Sequence, residues 1–339
     1  MDKIAIIGGG SWGTALAISL ARKDYRVQLR LREENSRLLK QINEERSNED
    51  YLPGIELPEG VEATTSYQEA ITDSRLLIFA VPSHALRQTV RDIEGLLAPQ
   101  LPLLNAVKGL EEGTLLRMSE VMLEELGPDF LDQIAVLSGP THAEEVARSI
   151  PSSAVISSSS QELAESIQGV MISDNFRLYT NPDLVGVELG GAIKNIIAIA
   201  AGIIDGLQYG DNTIAALITR GLAEIARLGK AMGANPMTLS GLAGMGDLVV
   251  TCTSKHSRNR SLGYKIGRGR TLQQALQEME QVAEGVRTAR AALAFSRELR
   301  VEMPITREVN KVLFENKEPS LAVKDLMQRG PKEELGDYI

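Results

Sequence analysis

The sequence predicts two domains of different class: an α/β domain with a doubly wound, mostly parallel sheet over residues 1–183, and an all-α domain over 184–339. The first half alternates β-type apolar runs with helical stretches, the pattern of a parallel sheet wrapped by helices. From about Leu184 the alternation stops, and apolar residues recur at three- and four-residue spacing without strand punctuation. At the start of the chain an apolar run leads straight into a glycine turn and a helical pattern. A chain of 339 residues is long enough to give each domain its own core.

The first run, Lys3–Ile7, is followed by Gly8, Gly10 and Gly13 in G-x-G-x-x-G register and then by the helical stretch Thr14–Ala21. In such a Rossmann-type strand–turn–helix unit, Gly8 permits the tight turn and Gly10 lets backbone approach a pyrophosphate. Gly13 lets helix pack close on strand. The motif gains specificity from its place between a strand and a helix. Further runs follow at Arg26–Leu31, Leu76–Val81, Leu101–Val107 and Ile134–Leu137, with weaker ones at Ala154–Ser157 and Phe176–Tyr179. A charged helix is expected over Glu33–Arg46, a helix start at Thr141–Glu145, and a loop or helix cap at Ser157–Ser160. Several strands end in small or polar residues (Val81-Pro82-Ser83, Val107-Lys108-Gly109, Ser138-Gly139-Pro140-Thr141), where the ligand crevice of a doubly wound sheet lies. In the second half a helix carries Ile193, Ile196, Ile197, Ala200, Ala201 and Ile204 on one pattern. Thr213–Met232 is another, with Gly233 placed as its C-terminal cap. Thr271–Met279, Gly285–Leu299 and Ile305–Glu315 complete the helical set.

Composition narrows the function classes. Apolar residues make up 43 % and charged residues 24 %, an ordinary globular balance, and only 4 % is aromatic, so the cores are aliphatic. A formal charge of −9 argues against general nucleic-acid or membrane-surface binding, so an anionic substrate must be held by a few local cations. Cys252, the single cysteine, leaves no internal disulfide and points to a reducing compartment. The Met1-Asp2-Lys3 start has no signal-peptide organisation, and the apolar stretch Ile196–Ile204 is much shorter than the roughly 20 residues of a bilayer span. The expectation is a soluble, cytoplasmic protein without membrane insertion.

Candidate chemistry sits in four places. Arg30 and Arg32 stand where the NAD form of the fingerprint has an acid, and guanidinium beside the adenosine ribose suits a 2′-phosphate. NADPH is therefore the preferred cofactor, with NADH left open; Glu33 and Glu34 read as the first turn of the next helix. Lys194 lies between Ile193 and Ile196 with Gly190 and Gly191 beside it, small residues that would leave ligand room next to an ammonium. Desolvation would lower its pKa toward proton exchange near neutrality. Gly241–Leu248 is a glycine-rich turn presenting Asp247, with Thr251 four residues on. Ser257-Arg258-Asn259-Arg260 combines hydroxyl, guanidinium and amide, a set that suits a phosphate, although a solvated basic loop has the same composition. His84, His142 and His256 match no metal-ligand spacing, so no metal is expected. Cys252 reads as a small apolar filler, its place between Asp247 and Ser257 notwithstanding.

Across nearly its full length the chain resembles the bacterial NAD(P)-dependent glycerol-3-phosphate dehydrogenase family. The matching stretches are Gly8–Ala15, Lys108-Gly109-Leu110-Glu111, Ser138–Thr141, Gly190–Asn195, Gly241–Asp247, Ser257–Arg260 and Val282-Ala283-Glu284-Gly285. The resemblance implies interconversion of dihydroxyacetone phosphate and sn-glycerol 3-phosphate, the backbone of phospholipids. It makes Lys194 the general acid/base, with Lys108 and Asn195 orienting the substrate and polarising its carbonyl, and Asp247 holding the lysine or a substrate hydroxyl. Arg258 and Asn259 would bind the phosphate, with Gly139, Thr141, Thr251 and Ser257 nearby. Ser11, Trp12, Arg32, Ala143, Val282 and Glu284 would line the dinucleotide, with Lys108 and Arg258 touching both ligands. One departure is visible: the family commonly has Trp where this chain has Arg30, which bears on the adenosine contacts. The alternatives are a two-domain dehydrogenase of the 6-phosphogluconate or ketopantoate type and a dinucleotide sensor without turnover. A homodimer is left open by the apolar faces of the helical half.

Overall fold

The computed structural model describes residues 2–279 and 283–334. The chain divides into two compact units. One comprises the residues up to Val107 together with Met118–Leu184, and the other Lys108–Arg117 together with Val185 onward. The excursion Lys108–Arg117, which lies on the sheet side of the boundary drawn from sequence, packs with the helices instead. Its Leu110 is buried in the apolar cluster of the helical unit, and a Leu110–Arg117 bridge closes it on itself.

In the sheet unit the order is β1 (Lys3–Ile7), α1 (Ser11–Ala21), β2 (Arg26–Arg30), α2 (Ser36–Asn43), β3 (Val61–Thr64), α3 (Tyr67–Ile71), β4 (Ser74–Phe79), α4 (Leu86–Ile93), β5 (Leu103–Asn105), α5 (Met118–Leu126), β6 (Ile134–Ser138), α6 (Ala143–Ala147), β7 (Ser152–Ser158), α7 (Gln161–Met171) and β8 (Phe176–Asn181). The strands lie in the order β3-β2-β1-β4-β5-β6-β7-β8, parallel throughout except for the β6–β7 pair. Ile4 of β1 stands opposite Val27 on one side and Leu76 on the other. Ile4, Ile6, Leu29, Leu76 and Ile78 are buried with Leu16 and Ile18 of α1 in one core, as expected of parallel strands covered on both faces. Strand order reverses at β1, so the glycine turn that follows β1 sits at the topological switch point.

Three readings of this half change. β3 carries no strong apolar run, because Val-Glu-Ala-Thr is short and holds an acid at its centre. The charged helix is confined to Ser36–Asn43: Asn35 N–H bonds back to Arg32 O, and that turn keeps Glu33 and Glu34 outside the helix. The two weaker strand candidates are full strands of 7 and 6 residues, and Ser160 caps α7 by accepting from Leu163 N–H.

The helical unit continues with α8 (Leu184–Gly206), α9 (Asp211–Ala231), α10 (Pro236–Leu239), a π-helical turn at Leu242–Gly246, α11 (Asp247–Thr253), α12 (Arg258–Gly267), α13 (Leu272–Gln277), α14 (Gly285–Glu298), α15 (Pro304–Phe314) and α16 (Pro319–Met327). α8 is apolar on every side and buried from Gly186 to Ile204, the signature of a helix at the centre of a bundle. At 23 residues it is far longer than the Ile196–Ile204 stretch, and by length and composition alone it could cross a membrane; its apolar window lies wholly inside the protein. α8 and α12 meet backbone to backbone through glycines on both. A Cβ at Gly206 would stand 2.5 Å from Tyr264 O, and one at Gly267 2.5 Å from Ile203 O, while Gly202 faces Arg260 and Gly263 faces Ile199. Arg260 Nη2 closes the same crossing on Asp205 at 2.7 Å. The start of α12 is thereby fixed on the central helix.

Candidate active site

In the sheet unit the glycine turn has the geometry its spacing implies. Gly8 has φ +119°, and a Cβ there would stand 2.5 Å from Ala80 O. A Cβ on Gly13 would collide with the carbonyl of Gly8, whereas nothing lies within 4 Å of the corresponding point on Gly10, whose backbone is open to approach. Gly10 caps α1 without any side-chain acceptor, so the first N–H groups of the helix are left for an anion. Asn48, fully buried, braces the turn: its Nδ2 donates to Gly9 O at 3.1 Å and to Thr14 Oγ1 at 2.7 Å, and its Oδ1 accepts from Tyr51 N–H. Ser11 Oγ donates to Tyr51 O at 2.7 Å. Sequence reasoning missed Asn48, which sits in a polar run with no motif around it.

Trp12 Nε1 in α1 and Arg30 Nε in β2 are buried donors without a partner among the described residues. The Arg30 guanidinium lies over the Tyr67 ring at 3.6 Å, while Arg32 is exposed and 3.6 Å from Glu34. Open backbone at Gly10, a helix N-terminus without a cap and unsatisfied donors fit a dinucleotide pyrophosphate and its adenosine. Elsewhere in the sheet unit, Gly139 has φ +147° with Ala154 Cα 2.8 Å from its Cβ position. Thr141 Oγ1 donates to Gly139 O, and Ala143 opens α6 with Glu144 and Glu145 in the first turn.

The helical unit gathers Lys108, Lys194, Asp247 and Thr251. The Gly190 position does not leave ligand room: its Cβ would run into Ala243 O, so this glycine lets the π-helical turn press against α8. That turn delivers Asp247 as the first residue of α11, one turn before Thr251. Lys194 Nζ donates to Asp247 Oδ1 and, at 2.9 Å, to Thr251 Oγ1; Lys108 Nζ donates to Asp247 Oδ2 at 2.8 Å. One carboxylate that is 1 % exposed therefore holds two ammonium groups. Burial pulls the Lys194 pKa down from its ordinary value to about 7; Asp247 acts against that shift, and Lys108 adds to it. The arrangement offers a proton exchangeable near neutrality beside surplus positive charge.

The Ser257–Arg260 stretch is a helix start rather than a loop. Ser257 Oγ caps α12 by accepting from Arg260 N–H, and Arg258 and Asn259 lie in its first turn. Arg258 is exposed and makes no hydrogen bond or ion pair among the described residues, leaving its guanidinium for an anion at the helix N-terminus. Asn259 is buried, donating from Nδ2 to Asn195 Oδ1 at 2.9 Å and accepting from Gly285 N–H at 2.9 Å. Glu284, half-buried, precedes α14; Val282 lies outside the described residues. Cys252 is packed in the apolar cluster, and burial pushes its thiol up to about 12, so it is a filler. Among the described residues no three His, Cys, Asp or Glu side chains gather as a metal site.

Two family models match the chain: NAD-dependent glycerol-3-phosphate dehydrogenase N-terminus over residues 3–164, and the C-terminus of the same family over 183–324. The chain belongs to the NAD-dependent glycerol-3-phosphate dehydrogenase family. A curated relative in this family, from Halothermothrix orenii, is named glycerol-3-phosphate dehydrogenase, NAD(P)+. It is 51 % identical over 340 residues, covering 100 % of this chain and 98 % of its own. The Bacillus subtilis protein of the same name is 49 % identical with the same coverage. A crystal structure of glycerol-3-phosphate dehydrogenase from Coxiella burnetii superposes with a TM-score of 0.91 at 38 % identity, covering 97 % of this chain and 99 % of that one. A glycerol-3-phosphate dehydrogenase is an oxidoreductase that takes a nicotinamide dinucleotide, and the glycine turn of this chain fits one.

Proposed function

We propose that the chain reduces dihydroxyacetone phosphate to sn-glycerol 3-phosphate, and catalyses the reverse, with NADPH as the preferred cofactor and NADH as the second. The observation that carries this reading is Lys194: a buried lysine with its pKa near 7, held by Asp247 and Thr251, has little structural purpose and an obvious chemical one. When bound, the nicotinamide supplies the hydride. Lys194 gives its proton to the oxygen at C2 in reduction and, as the free amine, takes it back in oxidation. Lys108 and Asn195 orient the carbonyl and stabilise charge on its oxygen. Asp247 keeps both lysines in place, and Thr251 accepts a second bond from Lys194, whose ammonium has three donors. Ser257, Arg258 and Asn259 at the start of α12 hold the phosphate. Ser11, Trp12 and Ala143 line the dinucleotide, and Arg30 and Arg32 read its 2′-phosphate. The product serves glycerophospholipid synthesis in the cytoplasm.

The test is the loss of reduced-nicotinamide absorbance on adding dihydroxyacetone phosphate, run separately with NADPH and with NADH. Turnover faster with NADPH is expected, and Arg30→Ala and Arg32→Ala should each narrow that ratio. No turnover with either cofactor, in folded protein that binds NADPH, would overturn the assigned substrate and turn the reading first to a carboxylate-substrate dehydrogenase of the 6-phosphogluconate or ketopantoate type and second to a non-catalytic sensor.

A further inference from the structure

Asn195 and Asn259 are each 8 % exposed or less, and they are joined in a chain of hydrogen bonds whose direction is dictated at one end. A side-chain amide can be turned end for end, exchanging its donor and its acceptor, so its orientation follows from its partners. The Gly285 backbone N–H is a donor only, and it points at Asn259 Oδ1 at 2.9 Å. That bond fixes the Asn259 amide with its Nδ2 on the opposite side, where it donates to Asn195 Oδ1 at 2.9 Å. With its oxygen occupied, Asn195 must present its own Nδ2 away from Asn259. The approach also depends on residue 285 being glycine. A Cβ there would stand 2.7 Å from Asn195 O and 2.8 Å from Asn259 Oδ1, and would force the amides off the backbone donor.

We infer that Asn259 is a positioning residue. Together with the Gly285 N–H, it sets the amide of Asn195 so that Asn195 offers a hydrogen-bond donor to the carbonyl oxygen of the substrate. The inference rests on the reaction proposed above and gives Asn259 work beyond holding a phosphate. An asparagine presented the wrong way round would place a carbonyl oxygen against the oxygen on which negative charge develops. The loss of a single donor to such an oxygen typically costs about 10²–10³ in turnover.

The decisive variant is Asn259→Asp. Aspartate has two acceptors, so Gly285 N–H remains satisfied while Asn195 has to turn its Nδ2 inward and its oxygen outward. The full chain is assayed with dihydroxyacetone phosphate and NADPH as wild type, Asn259→Asp, Asn259→Ala, Asn195→Ala and both double variants, with kcat and KM separated. The relay predicts a fall in kcat of about 100-fold for Asn259→Asp and a smaller fall for Asn259→Ala. It also predicts that the kcat penalty of either change at 259 shrinks to less than about threefold once Asn195 is alanine, because the group it positions is gone, while the rise in KM from the lost phosphate contact persists in both backgrounds. A change confined to KM, or the same loss of kcat in the Asn195→Ala background, would overturn the inference. If the aspartate variant fails to fold, the alanine cycle decides by the same criterion. Wild-type protein without turnover would remove the proposed reaction itself, whereas an additive cycle in an active enzyme removes only the relay.

Discussion

Replacing Asp247 with Asn removes the one charge shared by Lys194 and Lys108 while keeping the shape of the side chain. Removing one partner of a buried ion pair costs about 3–5 kcal/mol, and 1.36 kcal/mol moves a pKa by one unit. Lys194 starts at about 7 because burial and Lys108 outweigh the help of Asp247. Without that help its pKa falls by a further 2–4 units or so, leaving about 1 % or less of the ammonium form at neutral pH. A stronger acid donates faster, which recovers part of the loss, so reduction at pH 7 should fall by about tenfold or more. The assay is kcat/KM for dihydroxyacetone phosphate reduction from about pH 5 to 8, with the variant divided by the wild type at each point. The titration of the substrate cancels in that ratio. Because the wild-type donor is lost as pH rises through about 7 and the variant donor is lost well below it, the ratio should climb at least tenfold or so on going from about pH 7 to 5. A flat ratio would refute the reasoning, since Asp247 would then matter for some purpose other than the proton on Lys194.

Lys194→Met should lower turnover by about 10²–10⁴-fold with dinucleotide affinity unchanged in a fluorescence titration. Its native pKa, about 7, lies below the ordinary 10.5, so the stability Lys194 contributes is complete above about pH 10.5 and is lost as pH falls from there to about 7. The methionine variant should therefore gain in Tm over wild type most clearly near pH 6. Gly202→Ala drives a methyl group into Arg260 O and to 2.7 Å from Tyr264 N. It should cost about 1–3 kcal/mol in urea melts and raise KM for dihydroxyacetone phosphate more than KM for NADPH, because Arg258 and Asn259 ride on α12. Glu224 accepts from the N–H groups of Ile305 and Thr306 at the start of α15, and burial raises its pKa to about 7. The stability it contributes is complete below about pH 4.5 and declines as pH rises through about 7, so Glu224→Gln should destabilise at pH 5 and much less at pH 8.5. A pH-independent difference in Tm would rule this out.

Where a residue's role is set by local backbone chemistry, the sequence announces it. Gly8 and Gly13 stand in the turn and the close packing that their spacing requires, and Gly10 keeps an open backbone; the cap at Ser257, by contrast, is hidden in a stretch whose composition reads equally as a loop. Lys194 was conspicuous as a charge in an apolar helix. Properties decided by distant partners were not legible in the same way. Nothing in the sequence joins Asn48 to Thr14, or turns the amide of Asn195 through Asn259 and Gly285. The space inferred beside Gly190 was real in size and wrong in purpose, because a glycine on a helix accommodates backbone as readily as a ligand. β3 escaped because four residues with a central acid carry almost no period-two signal, and Glu33–Glu34 misled because a turn bond at Asn35 delays the helix.

The ten residues from Lys108 to Arg117 impose an order on the making of this protein. They leave the ribosome before any of the helices they pack with, and wait for more than seventy residues of further synthesis before α8 is available. During that interval the apolar side chain of Leu110 has no core to enter and Arg117 has no Glu188 to meet, so the nascent sheet unit carries a sticky unfinished loop. The dependence also runs the other way. A fragment beginning at Val185 would contain Lys194 and Asp247 but lack Lys108, and its Glu188 would be deprived of the Arg117 guanidinium that it meets at 2.6 Å. Cutting the chain at the apparent domain boundary therefore yields two incomplete pieces. The helical unit becomes independent only if residues 108–117 are supplied to it, either covalently through a rearranged chain order or as a separate peptide.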